Sequence, residues 1–319
     1  MDKSKNNISF KLFWGILPIF FGITNMDAQQ DAQYTQYMYN TVSINPGYAG
    51  SRGHMSIAAL YRAQWVGLDG APKTQTFNLH TPMGYKGAGI GVSVVNDQIG
   101  PTSETYFDLD ISYTVQTSED ARLSFGIKGS AHLLDIRFSE LNQDLTNPGG
   151  PDPTLQQDIQ NRFSPNIGAG VYYHTQRFYA GLSVPRILET THFDESSLST
   201  ASEELNFYFI TGYVMEMSAF WKFKPALLTK VVRGAPLQLD LSANFMYNDK
   251  FILGAAYRWD AAFSGMAGFQ ISPSFLLGIA YDREITDLGN AAFNDGSFEV
   301  ILRYDFIRVQ GNLKSPRFF

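Results

Sequence analysis

From about Met55 onward, large apolar and polar residues alternate with a period of two, the pattern of a strand whose two faces meet different solvents. In residues 107–116, Phe107, Leu109, Ile111, Tyr113 and Val115 share one face, and Asp108, Asp110, Ser112, Thr114 and Gln116 share the other. Residues 237–248 repeat the split, with Leu237, Leu239, Leu241, Ala243, Phe245 and Tyr247 opposite a polar set that only Met246 interrupts. In residues 297–306, Phe298, Val300, Leu302, Tyr304 and Phe306 oppose Ser297, Glu299, Ile301, Arg303 and Asp305. Phe251, Leu253, Tyr257 and Trp259 share a face in the same way, and rings sit at strand ends as an interfacial girdle requires.

A soluble sandwich also alternates, but its strands average about 5–6 residues, whereas dyads of roughly 9–11 residues suffice to cross a bilayer at a tilt. Alternating segments fall near 56–66, 74–81, 87–95, 105–116, 121–134, 165–173, 178–184, 205–214, 220–231, 237–247, 251–259, 262–271, 275–281 and 297–306. They predict an all-β fold, a transmembrane antiparallel β-barrel of about fourteen strands. An even count brings both ends of the barrel wall to one side. If that side is periplasmic, the three longest connections, near 135–164, 185–204 and 282–296, face outward, while 117–120, 174–177 and 248–250 are short inner turns. Gly87, Gly89, Gly91, Gly168 and Gly170 lie inside strands, where glycine permits curvature or close interior packing.

Ahead of the alternation, Lys3, Lys5 and Lys11 precede an apolar stretch, residues 12–23, broken by Pro18 and Gly22 and followed by polar residues around Ala28. That is the layout of a signal peptide, too short for a membrane span. The predicted organisation is a signal peptide over 1–28, a periplasmic segment over 29–54 and a barrel over 55–319. The chain of 319 residues suits one barrel. Aromatics make up 14%, in keeping with rings placed at a lipid–water boundary.

A formal charge of −6 without a run of lysines and arginines excludes the electrostatic footprint of a nucleic-acid binder. The absence of cysteine removes disulfides, thiolate catalysis and cysteine metal sites. His54, His80, His132, His174 and His192 are scattered without metal-ligand spacing. Asp108 and Asp110 share a strand face and read as a polar stripe toward a wet lumen rather than a catalytic pair. The connection over 135–164 is rich in Asp, Asn, Pro and Gly but lacks calcium-loop spacing, so it reads as a polar recognition loop. With no nucleophile–base constellation, no enzyme activity, cofactor or metal is expected.

Gln36-Tyr37-Met38-Tyr39-Asn40, followed by Ile44-Asn45-Pro46-Gly47-Tyr48-Ala49-Gly50-Ser51, resembles the opening motif of the PorP/SprF family of Bacteroidetes outer-membrane proteins. Tyr61-Arg62-Ala63-Gln64-Trp65, the segment 87–95 and the ending Lys314-Ser315-Pro316-Arg317-Phe318-Phe319 are similar to the family as well. Gly47 stands where the family often has alanine, and Phe318 where tyrosine is common. The resemblance implies a type IX secretion and gliding role, in which such a barrel helps export or anchor a large surface adhesin through that protein's C-terminal targeting domain. It implies as partners that adhesin, outer-membrane lipid and other components of the system. The residues it marks for partner contact are Gln36, Tyr37, Tyr39, Asn40, Asn45, Pro46, Tyr48, Ala49, Gly50, Arg62, Gln64 and Trp65, with Phe318 and Phe319 as a barrel-assembly signal. The motif could seal the periplasmic mouth, contact other components or tether the N-terminus, and its Asn-Pro-Gly core reads as a turn. From another class, a polar lumen also fits a porin or solute-uptake channel, which would conduct ions when purified.

Overall fold

A computed structural model describes residues 33–84, 87–140, 158–188, 205–233, 235–290 and 293–307. The strands are β1 (Met55–Ala63), β2 (Lys73–Pro82), β3 (Ala88–Ile99), β4 (Thr102–Gln116), β5 (Arg122–Ile136), β6 (Ile159–His174), β7 (Phe178–Val184) and β8 (Asn206–Tyr213). They continue with β9 (Met215–Glu216), β10 (Trp221–Val232), β11 (Gln238–Tyr247), β12 (Phe251–Arg258), β13 (Ala262–Ser272), β14 (Phe275–Glu284) and β15 (Ser297–Phe306). β8 and β9 both pair with β10 and are two pieces of one stave, parted at Val214.

Each stave hydrogen-bonds its sequence neighbours antiparallel, and β15 returns to β1 with Met55 opposite Phe306 and Ala63 opposite Phe298. Among the described residues the result is a closed barrel of fourteen staves. Closure is what a bilayer demands, because lipid offers no partner to an unpaired backbone amide.

Burial inverts the usual order of a globular protein. Along β15, Ser297, Glu299, Ile301, Arg303 and Asp305 are buried, while Phe298, Val300, Leu302, Tyr304 and Phe306 are exposed. β4 does the same, with Asp108 and Asp110 inside and Phe107, Leu109, Ile111 and Tyr113 outside. Among the described residues no helix is long and apolar enough to cross a membrane, so the strands do the crossing. Tyr257 packs on Phe263, Phe251 on Phe269, and Trp221 on Tyr247 across adjacent strands, giving the outer surface paired rings.

All fourteen predicted strands are present, and several extend further than the alternation suggested. β3 and β4 run on to a tight turn at Gly100 and Pro101, and β6 starts at Ile159 rather than near Pro165. The added residues, such as Asn96, Asp97, Gln98, Ser103 and Glu104, are polar on both faces, so pairing continues where the two-solvent pattern has ended. Six connections at one end span no more than five residues: 83–87, 117–121, 175–177, 217–220, 248–250 and 273–274. The opposite end carries the four longest connections, 64–72, 137–158, 185–205 and 285–296, together with the shorter 100–101, 233–237 and 259–261. Asn248 and Asp249 take positive φ, 51° and 53°, which their short polar side chains tolerate in a tight hairpin turn.

A different arrangement meets the segment expected to lie in the periplasm ahead of β1. Residues 34–52 run inside the barrel, nearly all of them buried. They are short turns rather than one element: Tyr37–Tyr39 and Pro46–Tyr48 are single 3-10 turns, and Thr41–Ile44 is one α-turn. The signal peptide expected over 1–28 lies outside the described residues.

Candidate functional site

The lumen and the segment threaded through it form the candidate site, and most of the motif residues meet there. At the long-connection end the carboxylate of Glu299 accepts two consecutive backbone amides, from Thr35 at 2.9 Å and Gln36 at 2.8 Å. The Thr35 hydroxyl donates to Asp282 at 2.6 Å. Arg62 Nη1 lies 2.6 Å from Asp282 and 3.2 Å from Glu299, and donates to the Thr35 hydroxyl at 2.9 Å. Arg62 is therefore the cation that makes two buried carboxylates tolerable, since an unpaired buried charge costs several kcal/mol.

Lower down, polar wall residues meet the segment one by one. Tyr37 shares a hydrogen bond with Ser242, and Asn78 donates its side-chain amide to Asn40. The ammonium of Lys224 lies 5.6 Å from the centre of the Tyr39 ring, and the guanidinium of Arg303 lies 5.8 Å from it. Lys128 pairs with Asp108 at 2.9 Å and Asp110 at 3.4 Å, and also donates to the Ser43 carbonyl at 3.3 Å. The aspartate stripe is thus a counter-charge for a lysine that reaches the segment.

The Asn-Pro-Gly core is a turn fastened to the wall. Asn45 accepts the Gly47 amide at 2.9 Å, its own amide donates to the Val171 carbonyl at 3.0 Å, and Ser183 donates to the Ile44 carbonyl at 2.7 Å. Pro46 opens the turn, where its missing N–H and fixed φ cost nothing. Tyr48 packs edge-on against His80 and Tyr172, each with ring centres 5.2 Å apart. Ala49 offers its carbonyl to Ser112, and the Gly50 amide donates to His80 Nδ1. At the short-turn end Arg52 pairs with Asp305 at 2.8 Å, beside Arg303 and Ser56 on the same carboxylate.

Wall glycines make room for this fit. A methyl group at Gly126 would collide with the backbone of Pro46 and Gly47, and one at Gly170 would collide with the Asn45 side chain. Gly89 faces Ala49 in the same manner, which selects close interior packing over curvature for these positions.

Gln64 and Trp65 stand apart from the lumen motif, in the connection after β1, where Trp65 donates its indole N–H to Glu284. Phe318 and Phe319 lie outside the described residues. The resemblance did not mark Asp282, Glu299, Asp305 or Lys128, which hold the segment's Thr35 hydroxyl, its backbone or its arginine. One available signal was apolar residues on inward positions. Met246 and Ile301 break the alternation, and with Ile252, Met266 and Leu276 they join the buried cluster around Tyr37, Met38 and Val42. Among the described residues no group of acidic or histidine side chains is arranged to hold a metal ion.

A closed antiparallel barrel with a lipophilic exterior and a polar interior defines the class: this is an outer-membrane β-barrel. The model of the PorP/SprF family, described as type IX secretion system membrane protein, matches residues 26–304, and the chain belongs to that family. No curated protein sequence matches it. Among solved structures, the Acinetobacter baumannii outer membrane protein Omp33 is similar at 11% identity, covering 79% of this chain and 98% of its own, with a TM-score of 0.45. The CymD monoaromatic hydrocarbon channel is 10% identical over 84% of this chain and 99% of its own, with a TM-score of 0.47. A Pseudomonas aeruginosa FadL homologue is 14% identical over 79% and 89%, with a TM-score of 0.39.

Proposed function

We propose that this protein, exported behind a signal peptide cleaved near Ala28, is a non-catalytic scaffold that helps export or hold a large surface adhesin through its C-terminal domain. Family membership supplies the secretion system. The observation that carries the holding role over solute passage is the filled lumen: residues 34–52 bond to β2, β4, β5, β6, β7, β11, β14 and β15. A path for solutes would have to displace that segment against an ion pair at one end and hydrogen bonds to buried carboxylates at the other, whereas a rigid body that presents outer connections to a protein partner needs no open path.

The test is a tagged pull-down from detergent-solubilised outer membrane, with mass spectrometry of the bound proteins, alongside single-channel recording of the purified barrel. A large secreted surface protein that co-purifies through its C-terminal domain with a non-conducting barrel supports the reading. A solitary, ion-conducting barrel would move the protein to the channel class.

A further inference from the structure

The segment has a direction. Gln33, the first described residue, donates its side-chain amide to Gln238 at 3.0 Å, and Gln238 opens β11 at the end bearing the long connections. Tyr34 meets Thr76 in the first half of β2, and Thr35 and Gln36 meet Glu299 near the start of β15, all toward that same end. At the other extreme, Gly50 meets His80 near the end of β2, and Arg52 meets Asp305 near the end of β15, at the short turns. Glu299 and Asp305 lie on one strand, six positions apart, which is roughly 20 Å along that tilted strand at ~3.3 Å per residue.

Short turns mark the periplasmic rim of outer-membrane barrels and long connections the external one. We infer that the chain is threaded through its own barrel, entering β1 from the inner rim while Gln33 is held at the outer mouth. Gln33 then lies at the outer mouth of the barrel rather than on the periplasmic side. The threading rests on side-chain placement and turn lengths, and stands or falls apart from the adhesin reading.

The chain has no cysteine, so single substitutions report location directly. Gln33→Cys is compared with Asp69→Cys, in the long connection after β1, and Glu119→Cys, in the short turn after β4. Intact cells are treated with a maleimide carried on a polymer too large to cross the outer membrane, and labelling is read as a gel shift. The expected result is a shift for Gln33→Cys and Asp69→Cys in intact cells, and for Glu119→Cys only after lysis. An unlabelled Gln33→Cys in intact cells, with Asp69→Cys labelled, overturns the inference. Should Gln33→Cys fail to assemble, a peptide epitope inserted directly ahead of Gln33 carries the test. Antibody binding to intact cells supports threading, and binding only after permeabilisation refutes it.

Discussion

The lipid-facing wall and the segment inside it are made of the same chain under opposite rules. Outside, Leu253, Ile279 and Val300 need only be apolar and fit a pleated surface, because lipid is a fluid that conforms to them. Inside, nearly every residue from Tyr34 to Arg52 has an assigned partner, and several partners are charges that cannot be left alone. The outer face is therefore degenerate in sequence, and the lumen is specific to within a methyl group. Specificity comes from the absence of solvent: water would satisfy a misplaced amide, but a packed lumen does not.

The sharpest break of that comparison is Arg62→Met, which leaves Asp282 and Glu299 buried without their cation. A loss of about 3–5 kcal/mol is expected for a buried pair cut on one side. It is read as a lower urea midpoint for the barrel refolded in lipid vesicles. Next comes a charge on the outer face: Ile279→Arg, in the middle of β14, is expected to cost about 2–4 kcal/mol in the same assay, since lipid offers the guanidinium no partner. A value near zero for Arg62→Met with a large one for Ile279→Arg would show that the segment is not anchored by this pair.

A smaller effect compares two glycines three positions apart on β5. Gly126 faces the lumen against Pro46 and Gly47, while nothing lies within 4 Å of a methyl group at Gly129. Gly126→Ala is expected to destabilise by about 1–3 kcal/mol through overpacking, and Gly129→Ala by much less. Equal midpoints for the two would mean that the segment yields easily. The smallest effect is Val300→Ile on the lipid face, expected within about 0.5 kcal/mol of the parent, and a larger loss would mean that this face is packed against protein.

The strands were legible because the two-solvent condition writes a period of two into every stave, which is why β15 and β4 alternate almost without fault. The extension of β3, β4 and β6 beyond the expected limits was not legible, because most of the added residues, such as Asn96, Asp97, Gln98, Ser103 and Glu104, are polar on both faces and carry no apolar alternation. In the candidate site, the motif from Gln36 to Gly50 stood out only by resemblance. Its location in the lumen did not, since short turns leave no periodic trace. Met246 and Ile301 were visible as exceptions on a polar face, but nothing local in the chain says what covers an inward apolar residue.

The sequence by itself determined an all-β membrane barrel, its number of staves and which face meets lipid, since these follow from local periodicity and solvent. Only the tertiary structure decided that the residues ahead of β1 fill the lumen, that Glu299 grips the amides of Thr35 and Gln36, and that Arg52 meets Asp305. Those contacts join positions more than two hundred residues apart, brought together by barrel closure, and no pattern within a strand encodes them.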